Sequence, residues 1–211
     1  MDLRVAKSDD FTFYYDLTNS EWSAVKITPE GWEIEKNPPI LFKRYNNQRP
    51  QTFPTTMFDL DDVFAKFMEL LNITDKDTRL LLKCYIISLF IPEISKPILM
   101  IHGEQGSAKT TFQELIKMLV DPSIIKTLSF PRDINELIQK LSHNYIAYFD
   151  NISEIKDWIS DELCRAVTGS GSSKRQLYTD DDDIIFNFMR CIGFNGINLG
   201  ATKADLLDRG I

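Results

Sequence analysis

Residues 103–110 read Gly103-Glu-Gln-Gly-Ser-Ala-Lys-Thr110, and this stretch decides how the rest of the chain is read. An apolar run, Pro97–Ile101, precedes it, and a segment with helical periodicity, Thr110–Val120, follows. Strand, glycine-bearing loop and helix in that order form a phosphate cradle. The glycines let the loop turn, its backbone N–H groups converge on an anion, and the helix N-terminus adds partial positive charge. Gly103, Glu104, Gln105, Gly106, Ser107, Ala108, Lys109, Thr110 and Thr111 are therefore the expected nucleotide-contacting residues. Lys109 would reach the β- and γ-phosphates of a nucleoside triphosphate, and the Thr110 hydroxyl would join a Mg2+ ion. Ala108 stands where this motif usually has its second glycine. The expectation is that position 108 already belongs to the helix, where a methyl group costs little.

A triphosphate with its metal needs an acidic residue on a neighbouring strand. Tyr145-Ile-Ala-Tyr-Phe-Asp150 supplies one, an apolar run that ends in a carboxylate. Ligands of open α/β sheets bind at that end of the strands. Thr110 and Asp150 are thus the expected metal ligands. An acidic residue commonly follows, to polarise the attacking water. Here the next residue is Asn151, with Glu154 and Glu162 further on. Asn195 closes another apolar run, Cys191–Asn195, and Arg209 follows a short helical stretch.

The 211 residues, 43% hydrophobic and 26% charged, suffice for one α/β core and a small appended module. A formal net charge of −7 argues against coating nucleic acid by bulk attraction, though a ring that grips DNA needs only local positive charge. The three cysteines, Cys84, Cys164 and Cys191, lack CxxC spacing and read as reduced thiols rather than a zinc site. The N-terminus has no apolar signal region, and no apolar run approaches a membrane span of about 20 residues. The expectation is a cytoplasmic, soluble protein with no membrane partner.

Along the chain, residues 11–45 carry aromatic and β-branched bursts (FTFYYDL, WSAVKI, GWEIEK, ILFKRY) separated by turn residues, which predicts a small antiparallel meander. Residues 46–56 read as a linker, closing an N-terminal module over 1–56. A helical segment follows over 57–95. Its first helix bears an apolar stripe from Leu60 to Leu71; its second starts at Thr74 as N-cap, with Asp77 three residues on. The body of that second helix is apolar on nearly every side and is expected to be deeply buried. From residue 96 to 211, apolar runs (97–101, 125–130, 145–150, 191–195) alternate with helical ones (110–120, 132–141, 160–167, 202–207), predicting a largely parallel sheet covered on both faces.

Taken together, GEQGSAKTT, AYFDNIS, SDELCRAVTG, RQLYTDDDDIIF, FNGI and LLDRGI resemble the P-loop ATPases of phages and integrated mobile elements. These are related to superfamily 3 helicases and poxvirus-type primase-helicases within the AAA+ group. The upstream segments DLTNSEWSAVKITPEGWEI and PPILFKR resemble what those proteins carry before their ATPase core. The resemblance implies an α/β P-loop NTPase core and an ATP-driven, hexameric motor acting on DNA in replication of a mobile element, with a primase or other replication proteins as partners. By match, Lys109 and Thr110 take the Walker A roles, Asp150 the Walker B role and Asn195 the motif C role. Arg209 becomes a finger acting in trans. Lys174, Arg175 and Tyr178, with 184–188, would form a hairpin facing the ring channel.

The chain departs from that pattern at Asn151 and at Asp180–Asp183, four carboxylates where a helicase presents a basic residue to phosphate. Lys174, Arg175 and Tyr178 could still touch a strand, Tyr178 by stacking. The acidic run reads equally well as a solvated turn or as a contact to a basic neighbouring subunit. The chain ends two residues after Arg209, where such proteins continue into a C-terminal lid. Beside the motor stand two other readings: a nucleotide-binding loader or switch that hydrolyses little, and an interaction protein with a degenerate cradle.

Overall fold

The structure, a computed structural model, describes residues 2–9, 11–170, 172–175, 183–186, 189–196 and 203–211. They divide into two compact units, one of residues 1–92 with 118–124, the other of residues 93–117 with 125–211.

The first unit opens with β1 (Val5–Asp9), β2 (Thr12–Asp16), β3 (Ala24–Thr28) and β4 (Gly31–Glu35), paired antiparallel in that order. The meander thus begins earlier than residue 11. The burst at 40–45 is no strand: it contributes one bridge, Asp2 to Phe42. Phe42 is buried beside Ala6, Tyr14 and Ala24, so apolar burial rather than strand pairing explains the burst. Arg4 is fully buried, and its guanidinium donates to Asp121 Oδ1 (3.0 Å) and to the carbonyls of Asp16 and Pro122 (3.2 Å each). Residues 48–51 are hydrogen-bonded into this unit through Arg49 N to Pro122 O (2.8 Å) and Gln51 N to Leu17 O (2.9 Å).

Two helices complete that unit, α1 (Leu60–Leu70) and α2 (Lys76–Ser88). Asp59 caps α1 by accepting from the N–H groups of Asp61 and Asp62. Helix α1 buries only Met68, which lies beside the expected apolar stripe; Leu60, Val63 and Leu70 of that stripe are exposed. Asp75, not Thr74, caps α2, accepting from Thr78 N at 2.8 Å, because a carboxylate one residue later reaches the same orphan donors. The expected all-round burial of α2 does not hold. Leu82, Tyr85 and Ile86 are buried, whereas Leu80, Leu81 and Ile87 face solvent.

The second unit contains β5 (Leu99–His102), α3 (Lys109–Val120, to residue 117 in this unit), α4 (Ile134–His143), β6 (Ile146–Phe149) and α5 (Asp157–Thr168). After α5 come the hairpin strands β7 (Ser172–Arg175) and β8 (Asp183–Phe186), then β9 (Cys191–Gly196) and α6 (Ala204–Leu207). The sheet is parallel in the order β5-β9-β6. Two single-residue parallel bridges extend it, Ile98 to Gly210 beside β5 and Leu128 to Phe149 beside β6. The apolar run at 125–130 therefore supplies one bridge rather than a strand; Leu128 N and O bond Tyr148 O (2.7 Å) and Asp150 N (3.0 Å), and Pro131 then removes a donor.

Strand alternation sorts this core. Ala147, Phe149, Ile192 and Phe194 pack with Leu137 and Leu141 of α4, with Ile159, Leu163 and Val167 of α5, and with Leu206 of α6. Tyr148, Gly193 and Asn195 share the opposite face, where α3 lies. Gly193 is required there by close approach, since a Cβ would stand 2.9 Å from the Tyr148 ring and 3.0 Å from Leu99 Cβ.

Candidate functional site

Because the sheet is parallel, the ends of β5, β6 and β9 fall at one edge. That edge carries the loop 103–109, Asp150 and Asn195 together. The loop bends through three positive-φ residues, Gly103 (153°), Gly106 (85°) and Ala108 (59°). Left-handed residues of this kind let a short loop turn tightly enough to wrap a ligand. Ala108 corrects the sequence expectation. It is left-handed rather than helical, and its carbonyl accepts the first helical bond from Phe112 N (3.0 Å). A side chain there costs about 1 kcal/mol, which is why the motif ordinarily has glycine.

Lys109 projects into the loop. Its ammonium donates to the carbonyls of Gly103 (2.8 Å) and Glu104 (2.7 Å) and to Ser107 Oγ (3.2 Å). Ser107 Oγ in turn donates to Glu104 O at 2.8 Å. Glu104, Gln105, Gly106 and Ser107 are exposed, as is Thr111. Thr110 Oγ1 donates to Asp150 Oδ1 at 3.0 Å, so hydroxyl and carboxylate from α3 and β6 meet at one point. Lower on the same helix the buried Lys117 donates to Ile146 O (2.8 Å) and Asn144 Oδ1 (3.3 Å). Helix α3 is thereby fastened to both ends of β6.

Asn151 has φ 56° and an exposed side chain. Asparagine is among the few residues that adopt this conformation readily, so its presence has a backbone reason beyond any missing acid. Its N–H donates to Asn195 Oδ1 (2.9 Å), and Asn195 Nδ2 donates to Gln113 Oε1 (2.7 Å). Asn195 is 2% exposed and Gln113 fully buried. Sequence reading missed Gln113. The signal was there: it is the one uncharged polar residue on the buried stripe of α3, with Ile116, Lys117 and Val120.

Other residues singled out in the sequence lie apart. Arg209 opens the row bonded to Ile98, five residues before Gly103 and hence about 16 Å down the sheet from the loop. It bonds Asp205 Oδ1 (3.1 Å) one turn back, and burial, reinforced by Asp205, pushes the neighbouring Cys164 thiol up to about 11. Glu162 is paired with Arg165 (2.9 Å), and Glu154 is exposed. Lys174 and Arg175 lie on β7, which pairs antiparallel with β8 so that Arg175 stands opposite Asp183. Tyr178 and Asp180, Asp181 and Asp182 fall outside the described residues. Among the described residues no trio of His, Cys, Asp or Glu forms a metal-holding group, and no helix is long and apolar enough to cross a membrane.

Fold and site together define an α/β protein, a β-meander followed by a small parallel sheet whose carboxyl edge bears a glycine-containing loop, a lysine and a hydroxyl–carboxylate pair. The family model described as actinomycete integrative conjugative element replication protein matches residues 64–211, and the chain belongs to that family of mobile-element replication proteins. The match covers the loop, Asp150, Asn195 and Arg209 but not the meander. No curated protein matches the chain.

Proposed function

We propose that this chain binds ATP at the loop 103–110 and hydrolyses it as a helicase-like motor acting on DNA during replication of the mobile element. The observation that carries the reading is the meeting of Thr110 Oγ1 and Asp150 Oδ1 at 3.0 Å beside an ammonium-filled loop. Phosphate oxygens can replace the loop carbonyls as acceptors for Lys109, which keeps its three donors satisfied in both arrangements. The loop N–H groups and the start of α3 favour the same anion. Thr110 and Asp150 offer hard oxygen donors suited to Mg2+, a metal usually completed by substrate phosphates and water rather than by a protein cage. Bound there, Mg2+ would neutralise charge on the β- and γ-phosphate oxygens.

Asp150, paired with Thr110, would be the carboxylate that serves the reaction, while Asn151 can orient water but takes no proton. Arg209, whose backbone pairs beside Ile98 roughly 16 Å down the sheet from the loop, fits service to a neighbouring subunit in a ring better than service to its own site. A homo-oligomer, hexameric by the resemblance, is part of the proposal, as are DNA contacts from Lys174 and Arg175. A second reading, a nucleotide-loaded loader or switch with slow turnover, is favoured by Asn151 and by the engagement of Glu162 with Arg165.

The test is steady-state ATP turnover with and without single-stranded DNA, for the wild type and for Lys109→Ala. DNA-stimulated turnover lost in the variant supports the motor. Tight ATP binding without DNA-dependent turnover selects the switch, and turnover indifferent to Lys109→Ala rejects the site.

A further inference from the structure

We infer that Gln113 is a positioning residue of this site, acting through Asn195 to hold the turn that presents Asp150. The inference rests on the reading of the loop and Asp150 as a nucleotide–metal site. Its geometry follows from one donor. The backbone N–H of Asn151 can only donate, so the oxygen of Asn195 must face it at 2.9 Å. The Asn195 amide nitrogen then faces α3, and Gln113 must answer with its oxygen, at 2.7 Å. That leaves Gln113 Nε2 buried with no partner among the described residues. The amide orientations are thereby set by hydrogen-bonding logic, with no freedom to flip.

A position whose neighbours on the buried stripe include Ile116 and Val120 would pack at least as well with an apolar side chain. Glutamine there carries the desolvation cost of an unmatched donor, and what it gains is a grip on Asn195. The consequence is local and chemical. Gln113 follows Lys109 and Thr110 by one turn of α3. Asn151 follows Asp150 directly and is held at φ 56°. Ile152 N also bonds Asn195 O at 2.8 Å, so Asn195 clamps two consecutive residues after the carboxylate. The chain Gln113–Asn195–Asn151 therefore joins the two elements whose side chains meet at Thr110 and Asp150. Asn195 in this arrangement acts on protein rather than on ligand, and Gln113 sets its orientation.

The test uses the whole chain and two independent readouts. Site-resolved hydrogen exchange follows the Asn151 amide without any nucleotide, and the Mg2+ concentration for half-maximal ATP turnover follows the site. Gln113→Leu keeps volume and removes the acceptor; Gln113→Glu keeps an acceptor oxygen toward Asn195. Expected for Gln113→Leu is about tenfold faster exchange at Asn151 and an approximately tenfold higher Mg2+ requirement, with KM for ATP at saturating Mg2+ changed far less. Gln113→Glu restores both, and Gln113→Leu added to Asn195→Ala has no further effect. Unchanged Asn151 exchange in Gln113→Leu, or effects that add to those of Asn195→Ala, overturns the inference. If Gln113→Leu does not fold, an unprotected Asn151 amide in the wild type or in Gln113→Glu overturns it equally. Failure of the wild type to bind ATP, with Asn151 exchange behaving as expected, would instead overturn the nucleotide reading and confine Gln113 to a structural clamp.

Discussion

Gly193→Ala places one methyl group where three strands meet. The new Cβ would lie 2.9 Å from both Tyr148 Cδ1 and Cε1 and 3.0 Å from Leu99 Cβ. Comfortable carbon contacts fall near 3.5–4.0 Å, so three atoms must each yield about 0.5–1 Å. None has room to spare, since Tyr148 is fully buried and Leu99 is 5% exposed. Overpacking of this kind costs about 1–3 kcal/mol, offset by roughly 0.4–1 kcal/mol because alanine restricts the unfolded chain. The net loss is on the order of 1–2 kcal/mol, which for a chain of this length lowers Tm by roughly 3–6 °C. Differential scanning calorimetry reads it directly. Adding Tyr148→Leu should recover part of the loss, because the flexible side chain can vacate the contact. Asn195 is two residues along the same strand and face, so the substitution should also weaken the nucleotide binding proposed above. An unchanged or raised Tm would mean that β9 does not run between β5 and β6 with Tyr148 laid across Gly193, and the placement of Asn195 beside Asp150 would go with it.

Three further outcomes follow from the same geometry. Ala108→Gly relieves a left-handed alanine at a cost in unfolded-state entropy, so stability should change by less than about 1 kcal/mol in urea titration, where a loss of 2 kcal/mol would contradict the backbone assignment. Arg4→Met strips Asp121 of its buried guanidinium partner and should cost about 3–5 kcal/mol, read from the same titration. Burial pushes the Tyr15 hydroxyl, which donates to Val120 O at 2.7 Å, up to about 12. A raised folded-state value keeps the proton on while the unfolded chain releases it, so stability is full below about pH 10 and falls as pH rises toward 12. The loss is on the order of 2 kcal/mol, and Tyr15→Phe should flatten that part of the pH profile.

Much of the candidate site's geometry was legible because its signals are local. GEQGSAKT needs only its neighbours to read as a loop between strand and helix, and Tyr145–Phe149 is apolar enough to declare a buried strand ending at Asp150. What escaped depends on contacts between distant residues. Asn195 and Gln113 are 82 positions apart, and nothing in either stretch announces the other. The runs at 40–45 and 125–130 have strand composition, yet each supplies a single bridge, because composition reports burial and not the length of a partner. Helix α2 shows the converse. Its body is apolar on several sides, while only the face bearing Leu82, Tyr85 and Ile86 is covered. Ala108 was misread because a Gly-to-Ala change looks harmless until φ is known. Asn151 looked like a lost acid, where a left-handed turn gives asparagine its own reason to be present.

The most direct measurement is the coupling between Mg2+ and ATP. Equilibrium titration of a fluorescent ATP analogue, with and without Mg2+, is compared in the wild type, Lys109→Ala and Asp150→Asn. Expected is wild-type binding tightened by Mg2+ at least about tenfold, a coupling near 1.4 kcal/mol, that disappears in Asp150→Asn, with binding of either kind lost in Lys109→Ala. Mg2+ tightening that survives intact in Asp150→Asn, or ATP binding untouched in Lys109→Ala, would contradict a shared triphosphate–metal site between the loop and β6.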